Sequence, residues 1–206
     1  MKKVILVLAA IYLSYSSAAQ ELPKRMANFH IGRTMHGSGD IMGVSLGFTY
    51  NHYFTKRISG FTDFGFSIHD GSEPIFYENR EGRLVNGSIL YTTAGIQQNI
   101  GVMYSFVRTR RHELQTRLSG VFRYQSTSLF DSAETLYPPI TGLPFPVTVF
   151  VNELPPRTFA VGAALGLGYN YSFGEKYSLG LLANFQIDSN GDTIAGYFLT
   201  SGYRFR

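Results

Sequence analysis

The sequence predicts an all-β chain folded as an eight-stranded antiparallel up-and-down β-barrel that crosses a membrane. Three observations predict it. Eight segments alternate between apolar and polar residues with a period of two, their charges fall almost entirely in one phase, and their connections alternate between short and long. Alternation of this kind marks a strand with one apolar face. An even number of antiparallel strands can close on itself and leave no backbone edge unpaired in lipid.

A segment of different make stands ahead of the strands. Lys2 and Lys3 precede an apolar stretch from Val4 to Leu13, and Ser17, Ala18 and Ala19 follow as small residues, the layout of a secretory signal peptide over 1–19. The apolar stretch is shorter than the roughly 20 residues that a spanning helix needs. Removal after Ala19 makes Gln20 the first residue, 20–27 a short leading segment and 28–206 the barrel. The chain has no Cys, which excludes disulfides, Cys-based metal sites and a lipid anchor at the processing site. Of 18 basic residues, Lys2 and Lys3 leave with the signal, and the remaining 16 face 14 acidic ones. That balance is near neutral, so no nucleic-acid partner is expected.

The first strand, 28–36, carries Arg33, the single strand charge in the outward phase. It either snorkels to the rim or marks a shifted register. The second, 42–54, alternates most clearly: Met42, Val44, Leu46, Phe48, Tyr50, His52 and Phe54 face one way, Gly43, Ser45, Gly47, Thr49, Asn51 and Tyr53 the other. Segments 58–69, 88–107 and 113–125 follow. The sixth, 158–173, repeats the scheme and lines its inner face with Ala160, Gly162, Ala164, Gly166 and Gly168, small residues that either make room for Phe61 and Phe198 or leave a cavity. Segments 177–188 and 193–206 complete the set.

Charge decides which face meets lipid. Asp63, Glu113, Arg117, Arg123, Asp188 and Arg204 share the inward phase. An Arg facing lipid at the midplane costs roughly 2–4 kcal/mol, so the uncharged phase faces the bilayer. In a narrow lumen Asp63, Glu113, Arg117 and Arg123 are expected to pair with one another as a plug of salt bridges. Eight strands leave an interior just filled by side chains, so a porin-like channel is not expected. A soluble barrel or sandwich would have to house this many Tyr, Phe and Leu inside, and eight strands lack the room.

The connections at 54–57, 108–112 and 174–176 are short, those at 37–39 and 189–191 are tight, and 70–87 and 126–157 are long. Outer-membrane barrels have short periplasmic turns and long external loops, which places both termini in the periplasm. Tyr50, Phe54, Tyr104, Phe106, Tyr169, Tyr171, Phe173, Tyr177, Tyr203 and Phe205 then fall at periplasmic strand ends, facing outward. They form the expected interfacial girdle.

The loop 126–157 holds six of the chain's eight prolines, Pro138, Pro139, Pro144, Pro146, Pro155 and Pro156, which stiffen it. It also carries Leu143, Phe145, Val147, Val149, Phe150 and Val151. So much apolar surface in a solvated loop points to a hairpin above the membrane, to a patch for an extracellular partner, or to both.

Taken together, the chain resembles the small eight-stranded outer-membrane barrels typified by OmpX and the OmpA membrane domain, and is similar to Bacteroidetes-type outer-membrane β-barrel proteins. The resemblance covers 20–206 and is architectural. Its most specific element is the end, Gly202, Tyr203, Arg204, Phe205 and Arg206, where alternating aromatics resemble the signal read by the barrel-assembly machinery, although Arg206 stands where an aromatic is usual. It implies a monomer in the bacterial outer membrane, in contact with membrane lipid and lipopolysaccharide, and a role in envelope integrity or surface binding through the two long loops. Some barrels of this size modify lipid A with a His and a Ser near the outer rim. The alternative is then an enzyme in which Ser38 attacks an acyl ester, His36 is its base and Asp40 orients the His. Gly-Ser-Gly is also ordinary turn chemistry, and His30, His69 and the pair Asp131 and Ser132 match as loosely. The five His show no metal-ligand spacing, and no cofactor is expected.

Overall fold

The computed structural model describes residues 22–37, 41–78, 81–128, 130–152, 154–174 and 176–205. Eight long strands close into one antiparallel barrel: β1 (Arg25–His36), β2 (Ile41–Tyr53), β3 (Ile58–Glu73), β6 (Ile89–Arg108), β7 (His112–Thr127), β10 (Arg157–Phe173), β11 (Tyr177–Asp188) and β12 (Thr193–Phe205). Four short strands decorate one end. The first long loop holds the pair β4 (Phe76–Glu78) and β5 (Leu84–Asn86), and the second holds β8 (Phe130–Leu136) and β9 (Val147–Asn152). Chain neighbours pair throughout the wall. The ring closes where β1 meets β12, with Arg25 opposite Phe205 and His36 opposite Ile194.

The polarity is that of a lipid-spanning barrel. Phe48, Phe64, Phe66, Leu118, Phe122, Leu165, Leu167 and Leu199 are all at least 40 % exposed on the outer wall, while Asn28, Thr49, Asn51, Asp63, Gln115, Arg123 and Asn170 are buried inside. A continuous apolar exterior of this extent belongs in lipid. No helix of the described residues is long and apolar enough to cross a membrane; the strands cross instead.

The barrel wall runs further than the alternation suggested. Strand β1 begins at Arg25, so 25–27 belong to the barrel and not to a leading segment. Met26 continues the inward phase, almost fully buried, and each of the three residues pairs with both β2 and β12. A terminal charge at Arg25 masks this strand end in the sequence. Strands β3 and β6 likewise carry their pairing up to Glu73 opposite Ile89, which lifts the wall above the level at which alternation fades. Arg33 faces outward and is exposed, in register with Val44 and Tyr197.

One irregularity matters for the site. The pairing of β6 with β7 shifts between Ser105 and Val107, a bulge at Phe106. One extra residue reverses the facing of everything after it. Phe106 and Val107 therefore both point outward and Arg108 turns in, opposite Glu113.

Candidate functional site

The lumen has three polar layers. At the end of the short turns, Glu113 is fully buried. Tyr53 donates its hydroxyl to Glu113 Oε1 at 2.9 Å, and Ser105 donates to the same oxygen at 2.8 Å. Arg204 donates to Oε2 at 3.3 Å and to the Arg110 carbonyl at 3.1 Å. Arg108 lies 3.5 Å from Oε1, with its guanidinium 3.4 Å above the centre of the Tyr53 ring. It also donates to the carbonyls of Pro23 and Lys56. Tyr53, Met26, Phe61 and Met103 form an apolar cluster beside this group. A carboxylate removed from water needs such a full set of donors.

In the middle layer Thr49 donates to Asp63, Asn99 donates to its other oxygen at 3.4 Å, and His30 Nε2 lies 3.4 Å from Oδ2. The His30 ring stacks on Phe198 at 5.3 Å. Gly47 is required here: a Cβ would stand 2.4 Å from His30 Nε2 and 2.6 Å from the Phe64 carbonyl. The Gln115 amide oxygen, in the orientation that satisfies both groups, accepts from Arg117 at 2.9 and 3.2 Å. Arg117 reaches over Phe61 with its guanidinium 5.5 Å from the ring centre.

At the loop end Gln125 donates to Asp192 Oδ2 at 2.9 Å, and His36 Nε2 lies 3.4 Å from the same oxygen. Burial opposes ionisation of Asp192, but the His36 and Gln125 contacts and the nearby Arg123 charge prevail and hold its carboxyl below the ordinary value. The His69 ring lies 5.1 Å from that of His36, and its Nε2 is 2.9 Å from Thr34 Oγ1. Arg123 donates to Ser67 at 3.5 Å. Spaces of about 40 and 20 Å³ lie between these layers, each with room for about one water molecule.

The four charges expected to neutralise one another all lie in the lumen, yet no two of them form a direct ion pair among the described residues. Glu113 takes Arg108 and Arg204, Asp63 takes His30, and Arg117 and Arg123 meet amide and hydroxyl groups. The reason is stagger: strands in a closed barrel are tilted and sheared, so inward residues on neighbouring strands need not share a level. Sequence reasoning missed Tyr53, Arg108, His30 and Asp192. The adjacent apolar residues Phe106 and Val107 break the alternation and were the available sign of the bulge that aims Arg108.

Of the alternative catalytic set, Ser38 and Asp40 lie outside the described residues. His36 is 5 % exposed and turned into the lumen against Asp192 and His69, away from the lipid face where an acyl chain would lie. No group of three or more His, Cys, Asp or Glu that could hold a metal occurs among the described residues. The ten aromatics all sit at the turn end, linked by ring contacts such as Tyr50 with Phe205 at 6.2 Å, Tyr171 with Phe173 at 5.3 Å and Tyr177 with Tyr203 at 5.4 Å. In the long loop Leu143, Phe145, Val149 and Val151 are exposed, and Val147 and Phe150 are half-buried.

A closed eight-strand wall, apolar outside and polar within, defines a small β-barrel of the outer-membrane type. The chain matches no protein-family model and no curated protein sequence. Among solved structures it is similar to Neisserial surface protein A (TM-score 0.54, 8 % identity, 90 % of this chain and 100 % of that one). It is also similar to OprG of Pseudomonas aeruginosa (0.51, 10 %, 91 % and 98 %) and to Ail, the attachment invasion locus protein of Yersinia pestis (0.50, 10 %, 90 % and 100 %). At these identities the likeness is one of fold.

Proposed function

We propose that the barrel is an anchor for surface binding, and that its β8–β9 hairpin takes up an extended polypeptide by strand addition. One observation carries this reading. Among the described residues β8 and β9 pair only with each other, so both long edges of a two-stranded sheet are left open. Open edges invite another strand. Tyr137, Ile140, Leu154, Val149 and Val151 are exposed on or beside the hairpin and offer apolar contacts to the side chains of an added strand. Stiffness comes from a short helix α1 (Pro138–Thr141) at its tip, begun by Pro138 and ended by Gly142 at φ 67°. The acyl-transfer reading gains no support from a His36 held inside the lumen. Export of the chain with removal of 1–19 belongs to the same proposal, and N-terminal sequencing of the membrane-inserted protein should begin at Gln20.

The test is adhesion of bacteria displaying the full barrel to surfaces coated with extended matrix polypeptides. Proline at Thr148 or Val149 removes a backbone donor and should lower adhesion at least fivefold while the barrel still inserts. Unchanged adhesion with both substitutions would overturn strand addition.

A further inference from the structure

The two small spaces inside the lumen differ in charge. The larger, about 40 Å³, is bordered by both a carboxylate, Asp63, and a guanidinium, Arg117. The smaller, about 20 Å³, lies nearer the loop end among Thr34, Ser45, Ser67, Gln97, Arg123 and Gln186, and the apolar side chains of Ile194 and Phe198 close it. Arg123 is the one charged group of that lining.

Arg123 is the feature to be explained. It is 1 % exposed and held on two sides. Its Nη2 donates to Ser67 at 3.5 Å, and its guanidinium lies against Gly95, where a Cβ would stand 3.0 Å from Nε. Nε and Nη1 find no hydrogen-bond partner among the described residues, and neither does Nε2 of Gln186, which is also 1 % exposed. Strands β7 and β11 thus bring buried N–H donors without acceptors to one small space. No carboxylate serves them. Asp188 and Asp192 act on Arg123 from beyond 4 Å, and neither borders the space. Asp192 is held by His36 and Gln125, and Asp188 accepts from the Asn190 backbone N–H at 3.1 Å. Arg117 is the contrast: its guanidinium donates to Gln115, and it borders the same space as Asp63.

We infer that this space is a binding site for one small monovalent anion, of the charge and size of chloride, held by Arg123 and by Nε2 of Gln186. A buried guanidinium without a counter-charge is strongly destabilising, and buried donors left unsatisfied by protein call for an ion or a water molecule. Water accepts hydrogen bonds there but leaves the charge in place. An anion satisfies the donors and cancels the charge through charge-assisted bonds. Size selects the class. A space on the scale of one water molecule excludes sulfate, phosphate and carboxylate-bearing molecules, each several atoms across, and admits a single-atom halide. The anion gives the mouth of the barrel the counter-charge that Glu113 supplies at the floor.

The experiment is a urea titration of the full chain, refolded in an uncharged detergent and read by gel migration before boiling. Sodium chloride is exchanged for sodium gluconate at constant ionic strength, gluconate being too large for the space. A ligand bound only by the folded state raises the folding constant about tenfold for each tenfold rise in its concentration above the dissociation constant. The wild type should follow that dependence. Arg123→Gln removes the charge, and Gln186→Glu places a carboxylate where the anion sits, so both should be indifferent to chloride. Gln186→Glu should also be as stable in gluconate as the wild type is in chloride, which keeps the test decisive where Arg123→Gln fails to fold. Bromide locates the site: crystals grown with it should show an anomalous peak within hydrogen-bond reach of Arg123 and Gln186. A wild type indifferent to chloride, an equal rise in the wild type and either variant, or no bromide peak beside Arg123 would each overturn the site.

Discussion

The two ends of the lumen solve the same problem differently. At the turn end Glu113 receives two hydroxyl donors and two guanidinium groups, and an apolar cluster backs the group. At the loop end Asp192 is met by one imidazole and one amide, and Arg123 leaves Nε and Nη1 without a protein partner among the described residues. A buried charge is tolerable only when its donors are complete. The turn end therefore acts as the locked floor of the barrel, and the loop end as a softer mouth beneath the surface loops.

The floor is most vulnerable at Glu113. Glu113→Gln leaves Arg108 and Arg204 buried without a counter-charge and should cost about 3–5 kcal/mol or prevent folding. Urea titration of the refolded barrel, read by gel migration, measures it, and a loss below about 1 kcal/mol would contradict a locked floor. Tyr53→Phe keeps the ring beneath Arg108 but removes one donor, for an expected loss of about 1–2 kcal/mol in the same titration.

Asp192→Asn should cost less than either, about 1 kcal/mol, because the loop end shares its charges more loosely. Its pH signature is distinct. A carboxyl held below its ordinary value binds its proton more weakly folded than unfolded. It therefore contributes stability at pH above the ordinary carboxylate range near 4, and this stability is lost as the pH falls through the lowered value. The urea midpoint of the wild type should fall on acidification into that window, and that of Asp192→Asn should fall less. Parallel curves would show that Asp192 does not brace the mouth. The smallest effect is expected from replacing 131–152 with a short Gly-Ser linker, under about 0.5 kcal/mol, since the cost of loop closure varies slowly with length. A larger loss would mean that the hairpin braces the mouth.

Particular residues show what could be read without coordinates. Met42 to Tyr53 and Phe159 to Phe173 display their inner and outer faces in the alternation itself, because lipid tolerates so few charges that a single strand's period reveals its orientation. Arg33 stood in the outward phase, but whether it faced out or marked a shifted register was decided only by its pairing with Val44 and Tyr197. Apolar residues between prolines marked 126–157 as structured, and the open edges of β8 and β9 appeared only once the pairing was known.

Local periodicity and turn length fix the number of barrel strands, the facing of their regular stretches and the end that carries the long loops. Tertiary structure alone decided the partners. Glu113 meets Arg204 across 91 positions, Asp63 meets His30, and Asp192 meets His36 because closure of the ring sets a stagger that no single strand encodes. A one-residue bulge at Phe106 then turns Arg108 inward to complete the floor. Periodicity is a property of one strand, whereas the level at which two side chains meet is a property of the closed barrel.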